Sequence, residues 1–398
     1  MRTSSRHDSG HRFKKVLLII GIALIALNLR PALAGVGPLI SDIREATGLS
    51  NTLLGLLTSL PLIAFGILSA LTRLVSSRLG IESTIALALG LLAGGILLRV
   101  VPGNHALFGG TLLIGVAIAF GNVLLPTLVK RDFPNHSGIL TSIYSSMLGL
   151  GAALASGVSV SLAHDWGWGW RWSLGAWAFL ALAALLIWLP QLKNASIPQN
   201  SIRFVHSLKQ IVRSKMAWNI AFFMGLQSFA FYVVLAWLPE ILQHGGLSPL
   251  AAGWMLSLSL GTGVVGSLLI PTLAARMTNQ QIIVWILMFC ESISIAGLML
   301  PYPSLMALWA SLIGFSLGGC FGLALLFLVL RSNDTQTANE LSGMVLSIGF
   351  IIAAIGPTLF GALHDWTQAW IIPLLFLLMT SVLKLISGLG ASKPRFVR

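Results

Sequence analysis

Residues 191–215 read QLKNASIPQNSIRFVHSLKQIVRSK, and this stretch decides how the rest of the chain is organised. It holds five lysines and arginines and no aspartate or glutamate, and it is the longest hydrophilic stretch in the 398 residues. Six long apolar runs precede it and six follow it. Each run has about 20 residues or more, which is the length that a helix needs to cross a bilayer. The pattern predicts two sets of six membrane spans joined by a basic linker.

We number these runs spans 1 to 12, and together they predict an all-α membrane protein with two pseudo-symmetric six-helix bundles. Their starts lie near Val16, Thr52, Glu82, Ala106, Gly138, Arg171, Ala217, Leu250, Gln281, Ser304, Glu340 and Ala369. The expected segments are a tail over 1–15, a bundle over 16–190, a linker over 191–216, a bundle over 217–389 and a tail over 390–398.

The basic residues collect in every second gap between the spans. Of the 24 lysines and arginines, 20 lie on the side that carries both termini, including those of the linker and Lys384 near the C-terminus. The opposite gaps hold only Arg44, Arg99 and Arg171, and the remaining cation, Arg30, lies inside span 1. The positive-inside rule therefore predicts that both termini are cytoplasmic.

Composition limits the partners and the chemistry. Hydrophobic residues make up 56% of the chain and charged residues 9%, far from the roughly 25% charged residues of a soluble domain. The net charge of +13 flanks apolar spans and forms no basic stripe with exposed aromatic residues, so we expect anionic lipid headgroups as partners and no nucleic acid. Cys290 and Cys320 both lie within spans. No nucleotide-binding loop, metal-ligand spacing or catalytic constellation is present, so we expect no cofactor, no metal and no enzymatic activity.

The two halves repeat a short motif. His164-Asp165-Trp166 ends span 5, and His364-Asp365-Trp366 ends span 11 at an offset of 200 residues. At the same offset, Gly149 matches Gly349 and Ser142 matches Ser342. In a six-plus-six arrangement, this repetition indicates an internally duplicated transporter.

Several short motifs carry a closer resemblance. They are Asn28-Leu29-Arg30-Pro31-Ala32, Val36-Gly37-Pro38-Leu39, Gly121-Asn122-Val123-Leu124-Leu125-Pro126, Lys130-Arg131-Asp132-Phe133-Pro134, Trp237-Leu238-Pro239 and Leu341-Ser342-Gly343-Met344. The chain resembles the major facilitator superfamily and, within it, the cyanate and 2-nitroimidazole transporter family, with the motif around span 4 closer to the nitroimidazole branch. The resemblance implies a monomeric secondary transporter of the bacterial inner membrane. It would move a small polar or anionic solute by alternating access, with coupling to protons.

Two alternatives stay open at this point. The first is a membrane sensor or a channel, although no soluble signalling module accompanies the spans. The second, within transporters, is efflux of a drug or metabolite rather than uptake. Span 5 lacks the Gly-Pro element of proton-coupled exporters, while Gly356-Pro357 lies in span 11, which weakens the exporter interpretation.

Arg30 is the sharpest candidate for a substrate site. It lies about 20 Å along span 1, where an unpaired guanidinium costs several kcal/mol, so it should face a partner or an aqueous cavity. Pro31 removes the backbone bond to the carbonyl of Leu27 and predicts a kink there. Asn28 lies about 200° around the helix from Arg30, so both face one cavity only if the turn unwinds. The alternative is a structural arginine bonded to carbonyls of a neighbouring helix.

The resemblance implies further contacts, because spans 1, 4, 7 and 10 surround the substrate in the superfamily. These contacts are Asn122 in span 4, and Gln227 and Tyr232 in span 7. Tyr144, one of only three tyrosines, is a further candidate about two turns into span 5. Hydrogen bonding between helices is the alternative for Asn122 and Gln227. Glu291 is the one carboxylate deep within a span, which makes it the candidate for proton coupling. Burial of a protonated acid against span 8 or 10 is the alternative.

Overall fold

The computed structural model describes residues 4–194, 212–300, 302–333 and 335–397. Within these ranges the regular structure is helical throughout, and twelve spans are long and apolar enough to cross a membrane. The apolar segment of each span begins within two residues of the start predicted from the sequence, although some helices extend beyond their apolar segments. The predicted all-α membrane fold is confirmed. Most of the linker, residues 195–211, lies outside the described residues.

The first half of the chain supplies spans 1 to 6. Span 1 is broken into helices Ser4–Asn28, Pro31–Ala34 and Ile40–Thr47, with a 3-10 turn at Gly37–Leu39. Spans 2 to 5 are the helices Asn51–Leu79, Ile81–Val100, Asn104–Asp132 and Ser137–Ala163. Span 6 consists of Gly169–Gly175 and Trp177–Trp188, followed by a 3-10 turn at Leu189–Asn194.

The second half supplies spans 7 to 12. Spans 7 to 9 are the helices Lys215–His244, Pro249–Ala274 and Gln281–Leu298. Spans 10 to 12 are the helices Met306–Leu330, Thr335–Thr367 and Ile371–Ala391.

The two halves meet along two helix pairs, span 2 with span 11 and span 5 with span 8. Small residues allow the backbones to touch at both seams. A methyl group at Gly55 in span 2 would overlap the carbonyl oxygen of Pro357 in span 11. At the other seam, a methyl group at Gly253 in span 8 would lie 2.8 Å from the carbonyl oxygen of Ser156 in span 5.

The buried apolar core shows at which end the halves are joined. We call the face opposite the termini the outer end and the face that carries them the inner end. One cluster of buried residues runs through the first half and continues into the outer part of the second half. A separate cluster, built around Phe223 and Phe327, occupies the inner end of the second half alone. The halves therefore share one core at the outer end and keep two cores at the inner end.

Two cations that the sequence assigned to water-exposed gaps lie inside the bundles. Arg99 in span 3 and Lys384 in span 12 are each 1% exposed. That assignment is wrong for both, because each side chain reaches polar groups of neighbouring spans inside its bundle.

Candidate functional site

The break in span 1 follows from its sequence. The first helix stops at Asn28, because Pro31 has no backbone N–H to continue it. Arg30 then stands at the start of the short helix Pro31–Ala34. Span 5 approaches closely here, since a methyl group at Gly151 would overlap the carbonyl oxygen of Leu27. The kink predicted from Pro31 is therefore present, and Arg30 lies at its corner.

The side chain of Arg30 points toward the second half of the chain. Its guanidinium carbon lies 5.4 Å from the ring centre of Phe231 and 5.9 Å from that of Tyr232, both in span 7. A cation at this distance from an aromatic ring is attracted by the quadrupole of the ring. Within the described part of the chain, Arg30 makes no ion pair and donates no hydrogen bond. Its five N–H groups are therefore available to a ligand.

Two further side chains complete the cluster around Arg30. The hydroxyl of Tyr144 in span 5 donates a hydrogen bond of 2.9 Å to the side-chain oxygen of Asn122 in span 4. The Tyr144 side chain also lies within electrostatic reach of Arg30 and Tyr232. Tyr144 and Asn122 are half-buried, and Tyr232 is buried. Spans 1, 4, 5 and 7 thus bring one cation, two phenols and one amide together between the halves. We call Arg30, Asn122, Tyr144, Phe231 and Tyr232 the central site.

Asn28 and Gln227 lie apart from this cluster. The Asn28 amide donates to the carbonyl oxygens of Leu24 at 2.8 Å and Leu180 at 3.2 Å, so it faces span 6. The break in span 1 comes after Asn28 and does not turn its side chain toward Arg30. Gln227 donates to the carbonyl oxygen of Leu317 in span 10 at 3.0 Å. Both amides are used in contacts between helices.

Glu291 is part of a buried ion pair in the second half. The ammonium of Lys384 donates to its two carboxylate oxygens at 2.7 and 2.5 Å, and both side chains are 1% exposed. The hydroxyl of Ser381 donates to the same carboxylate at 2.6 Å, and that of Ser316 in span 10 lies 3.4 Å away. Glu291 is thus paired with a basic residue of span 12 and also lies against span 10 through Ser316.

The outer end of the interface is closed by a carboxylate that caps a helix of the other half. Asp365 in span 11 accepts hydrogen bonds from the backbone N–H groups of Asn51 and Thr52 at 3.0 and 2.8 Å. It also accepts from their side chains, at 2.8 and 2.7 Å. The first N–H groups of a helix lack partners within that helix and carry a partial positive charge. We call Asp365, Asn51 and Thr52 the outer latch.

A second charged contact lies beside the outer latch. Arg44, at the end of span 1, donates to the carboxylate of Glu240, at the end of span 7. Deeper in the interface, Thr358 donates to the hydroxyl of Ser59 at 2.9 Å. These contacts link the first half to the second, so the central site is closed toward the outer end.

Four of the five side chains that the structure brings together here were predicted from the sequence as substrate contacts, and Phe231 was not. The available signal was weak, because Phe231 is one apolar residue among many in span 7. Sequence reasoning also missed the pairing of Asp365 with the start of span 2. The repeated His-Asp-Trp motif drew attention to Asp365 only as a mark of duplication.

Comparison with known proteins bears on the whole chain. The sequence model of the Major Facilitator Superfamily matches residues 16–357. An uncharacterized transporter of Bacillus subtilis, YycB, is 43% identical over 392 residues, covering 98% of this chain and 97% of that protein. The 2-nitroimidazole transporter of Escherichia coli is 39% identical over 386 residues, covering 96% and 97%. The crystal structure of a D-xylose–proton symporter has the same fold, with a TM-score of 0.76 at 16% identity, covering 96% of this chain and 98% of that one.

Proposed function

The chain belongs to the major facilitator superfamily of membrane transporters, and we propose that this member carries a small polar or anionic solute of nitroimidazole or cyanate type through the central site. It is a transporter and not an enzyme. The two halves would rock about the central site, which would face the two sides of the membrane in turn. A sensor or a channel would not need a site placed between two duplicated halves.

The observation that carries this proposal is the environment of Arg30. A guanidinium inside a membrane protein is costly, and here no described carboxylate neutralises it. Its planar fork suits the two oxygens of a nitro group or a carboxylate. Phe231 and Tyr232 supply flat faces on which a planar solute can lie, and Tyr144 supplies a hydroxyl. Asn28 and Gln227 remain outside the proposed site, because neighbouring helices use their amides.

The test replaces Arg30 and measures binding of 2-nitroimidazole to the purified protein. Arg30→Lys keeps the charge and loses the fork, so it should fold and bind about tenfold or more weakly. Arg30→Met loses both and should fold without detectable binding. The matched control is Arg171→Met, because Arg171 also stacks on a ring, with its guanidinium carbon 4.2 Å from the Trp170 ring centre, but lies in span 6. Unchanged binding by a well-folded Arg30→Met protein would remove Arg30 from the site.

We further propose that transport is driven by the proton gradient, with Glu291 as the carboxylate to examine first. It is the one acid deep within a described span, and a proton arriving there would release Lys384 from the pair. In proteoliposomes, an imposed pH gradient should drive 2-nitroimidazole against its concentration gradient in the wild type. The double variant Glu291→Gln/Lys384→Met, which leaves no unpaired buried charge, should abolish this drive and keep downhill flux. A gradient-driven flux in this double variant would exclude this carboxylate, and the sign of the wild-type flux separates uptake from efflux.

The proposed location is the bacterial inner membrane, with cytoplasmic termini, a monomeric chain and anionic lipids around its inner end. Cysteine labelling tests the orientation. Lys393→Cys and Asn104→Cys both fall on exposed residues, at the inner and outer ends. A membrane-impermeant maleimide should label position 104 in intact spheroplasts and position 393 only after lysis. The reverse pattern would contradict the orientation.

A further inference from the structure

A buried arginine of span 3 holds the broken segment of span 1. Arg99 donates from Nη1 to the carbonyl oxygen of Ala32 at 2.6 Å and from Nε to the hydroxyl of Thr111 at 3.0 Å. Ala32 is the second residue of the short helix that begins next to Arg30. The bond therefore joins span 3 to the segment that carries the candidate substrate-binding guanidinium.

The backbone of span 1 leaves this carbonyl without a partner of its own. In a continuous helix the N–H of Val36 would donate to the oxygen of Ala32. Here the N–H of Val36 donates to Leu33 at 3.2 Å, because the helix tightens before the 3-10 turn. A buried carbonyl without a donor is costly inside a membrane, and the guanidinium supplies that donor.

Arg99 is itself fixed in place. The Thr111 hydroxyl donates a hydrogen bond to the carbonyl oxygen of Leu107 at 2.7 Å, which orients the oxygen that accepts from Arg99 Nε. Glycine at position 110 lets the arginine stem lie against span 4, since a methyl group there would lie 3.0 Å from Arg99 Cγ. Arg99 is 1% exposed, and within the described residues it pairs with no carboxylate. Its Nη2 has no hydrogen-bond partner.

An apolar residue would fill this buried space at a lower free-energy cost than an unpaired charge. A charge kept there is therefore expected to have a role beyond packing. We propose that Arg99 is a positioning residue for the central site: through the carbonyl of Ala32 it fixes the broken turn of span 1 and thereby the direction of the Arg30 side chain. The effect of Arg99 on substrate binding rests on the function proposed above. Its effect on the broken turn of span 1 does not.

The first experiment needs no substrate. Hydrogen–deuterium exchange is measured on the full-length protein for the amides of residues 32–36, with Arg99→Gln compared to wild type. Losing one charge-assisted bond should speed their exchange about tenfold or more, and Arg99→Lys, which keeps one donor, should recover part of the protection. Arg171→Gln is the control, since Arg171 makes no bond to span 1. Unchanged exchange in Arg99→Gln would overturn the proposal.

The second experiment separates positioning from mere stability, with 2-nitroimidazole as the probe. Arg99→Gln should weaken binding about tenfold in the wild-type background. In the Arg30→Lys background, the same change should weaken binding by less than about threefold. The lysine ammonium sits on a flexible stem, so its contact with substrate depends less on how the backbone of span 1 is oriented. Equal losses in both backgrounds would overturn positioning through Arg30. If the wild type does not bind 2-nitroimidazole, the proposed substrate class fails, and the exchange experiment alone decides the role of Arg99.

Discussion

Replacing Asp365 by asparagine should weaken closure of the outer end without changing the size of the side chain. The carboxylate accepts four hydrogen bonds of 2.7 to 3.0 Å from Asn51 and Thr52. An amide keeps one oxygen, loses the charge, and turns an NH₂ group toward N–H donors. Hydrogen bonds to a charged group contribute about 1.5–3 kcal/mol, and a charge at a helix N-terminus about 0.3–1 kcal/mol. A net loss of about 2–3 kcal/mol would raise the population of outward-open molecules about 30- to 160-fold.

The assay reports how often the interface below the outer latch opens. Ser59 is 1% exposed and lies in that interface, so Ser59→Cys in a background without the native cysteines reacts only when the outer end opens. The labelling rate with an impermeant maleimide, added from the outer side, should rise with the open population. Asp165→Asn is the control, because Asp165 occupies the matching place in the repeat but is exposed. Equal rates in wild type and Asp365→Asn, or an equal increase in Asp165→Asn, would refute this account of closure.

Two other changes probe the interior and the seam between the halves. Lys384→Met should destabilise the protein by about 3–5 kcal/mol, because Glu291 is left buried without its counter-charge. Adding Glu291→Gln should restore most of the melting temperature. A melting temperature unaffected by Lys384→Met would show that the pair contributes nothing to stability. Gly37→Ala should stop transport in a folded protein, because the new methyl group overlaps the carbonyl oxygen of Leu235 and prevents closure of the outer end. The control Gly90→Ala, with open space around it, should transport normally. Normal flux in Gly37→Ala would contradict the importance of this contact.

The architecture was readable from the sequence because hydropathy and charge are local properties. A run of about 20 apolar residues predicts a span wherever it occurs, and the linker marks the centre of the chain. Arg30 was recognisable for the same reason, as a single cation inside an apolar run, and Pro31 predicted the break beside it. Asn122 and Tyr232 could be proposed only through the resemblance to a family, and Tyr144 only because it is one of three tyrosines in the chain.

The pairing of side chains across spans was not readable, since it depends on helix rotation and on partners far apart in sequence. Glu291 and Lys384 are separated by 93 residues, and no local pattern joins them. Lys384 looked like a flanking cation because it lies near the end of the last span. Gln227, predicted from the sequence as a substrate contact, donates to the carbonyl oxygen of Leu317 in span 10, a contact that no local pattern reveals.

The separation of Glu291 from Lys384 also has a consequence for biosynthesis. The ribosome completes span 9 well before span 12, so Glu291 enters the bilayer before its counter-charge exists. An acid near the centre of a span costs insertion about 2.5–3.5 kcal/mol, which the apolar residues of span 9 must outweigh without help. Ser316 arrives next with span 10, and only the final helix brings the ammonium. A nascent chain that stops before span 12 therefore contains Glu291 without its basic partner.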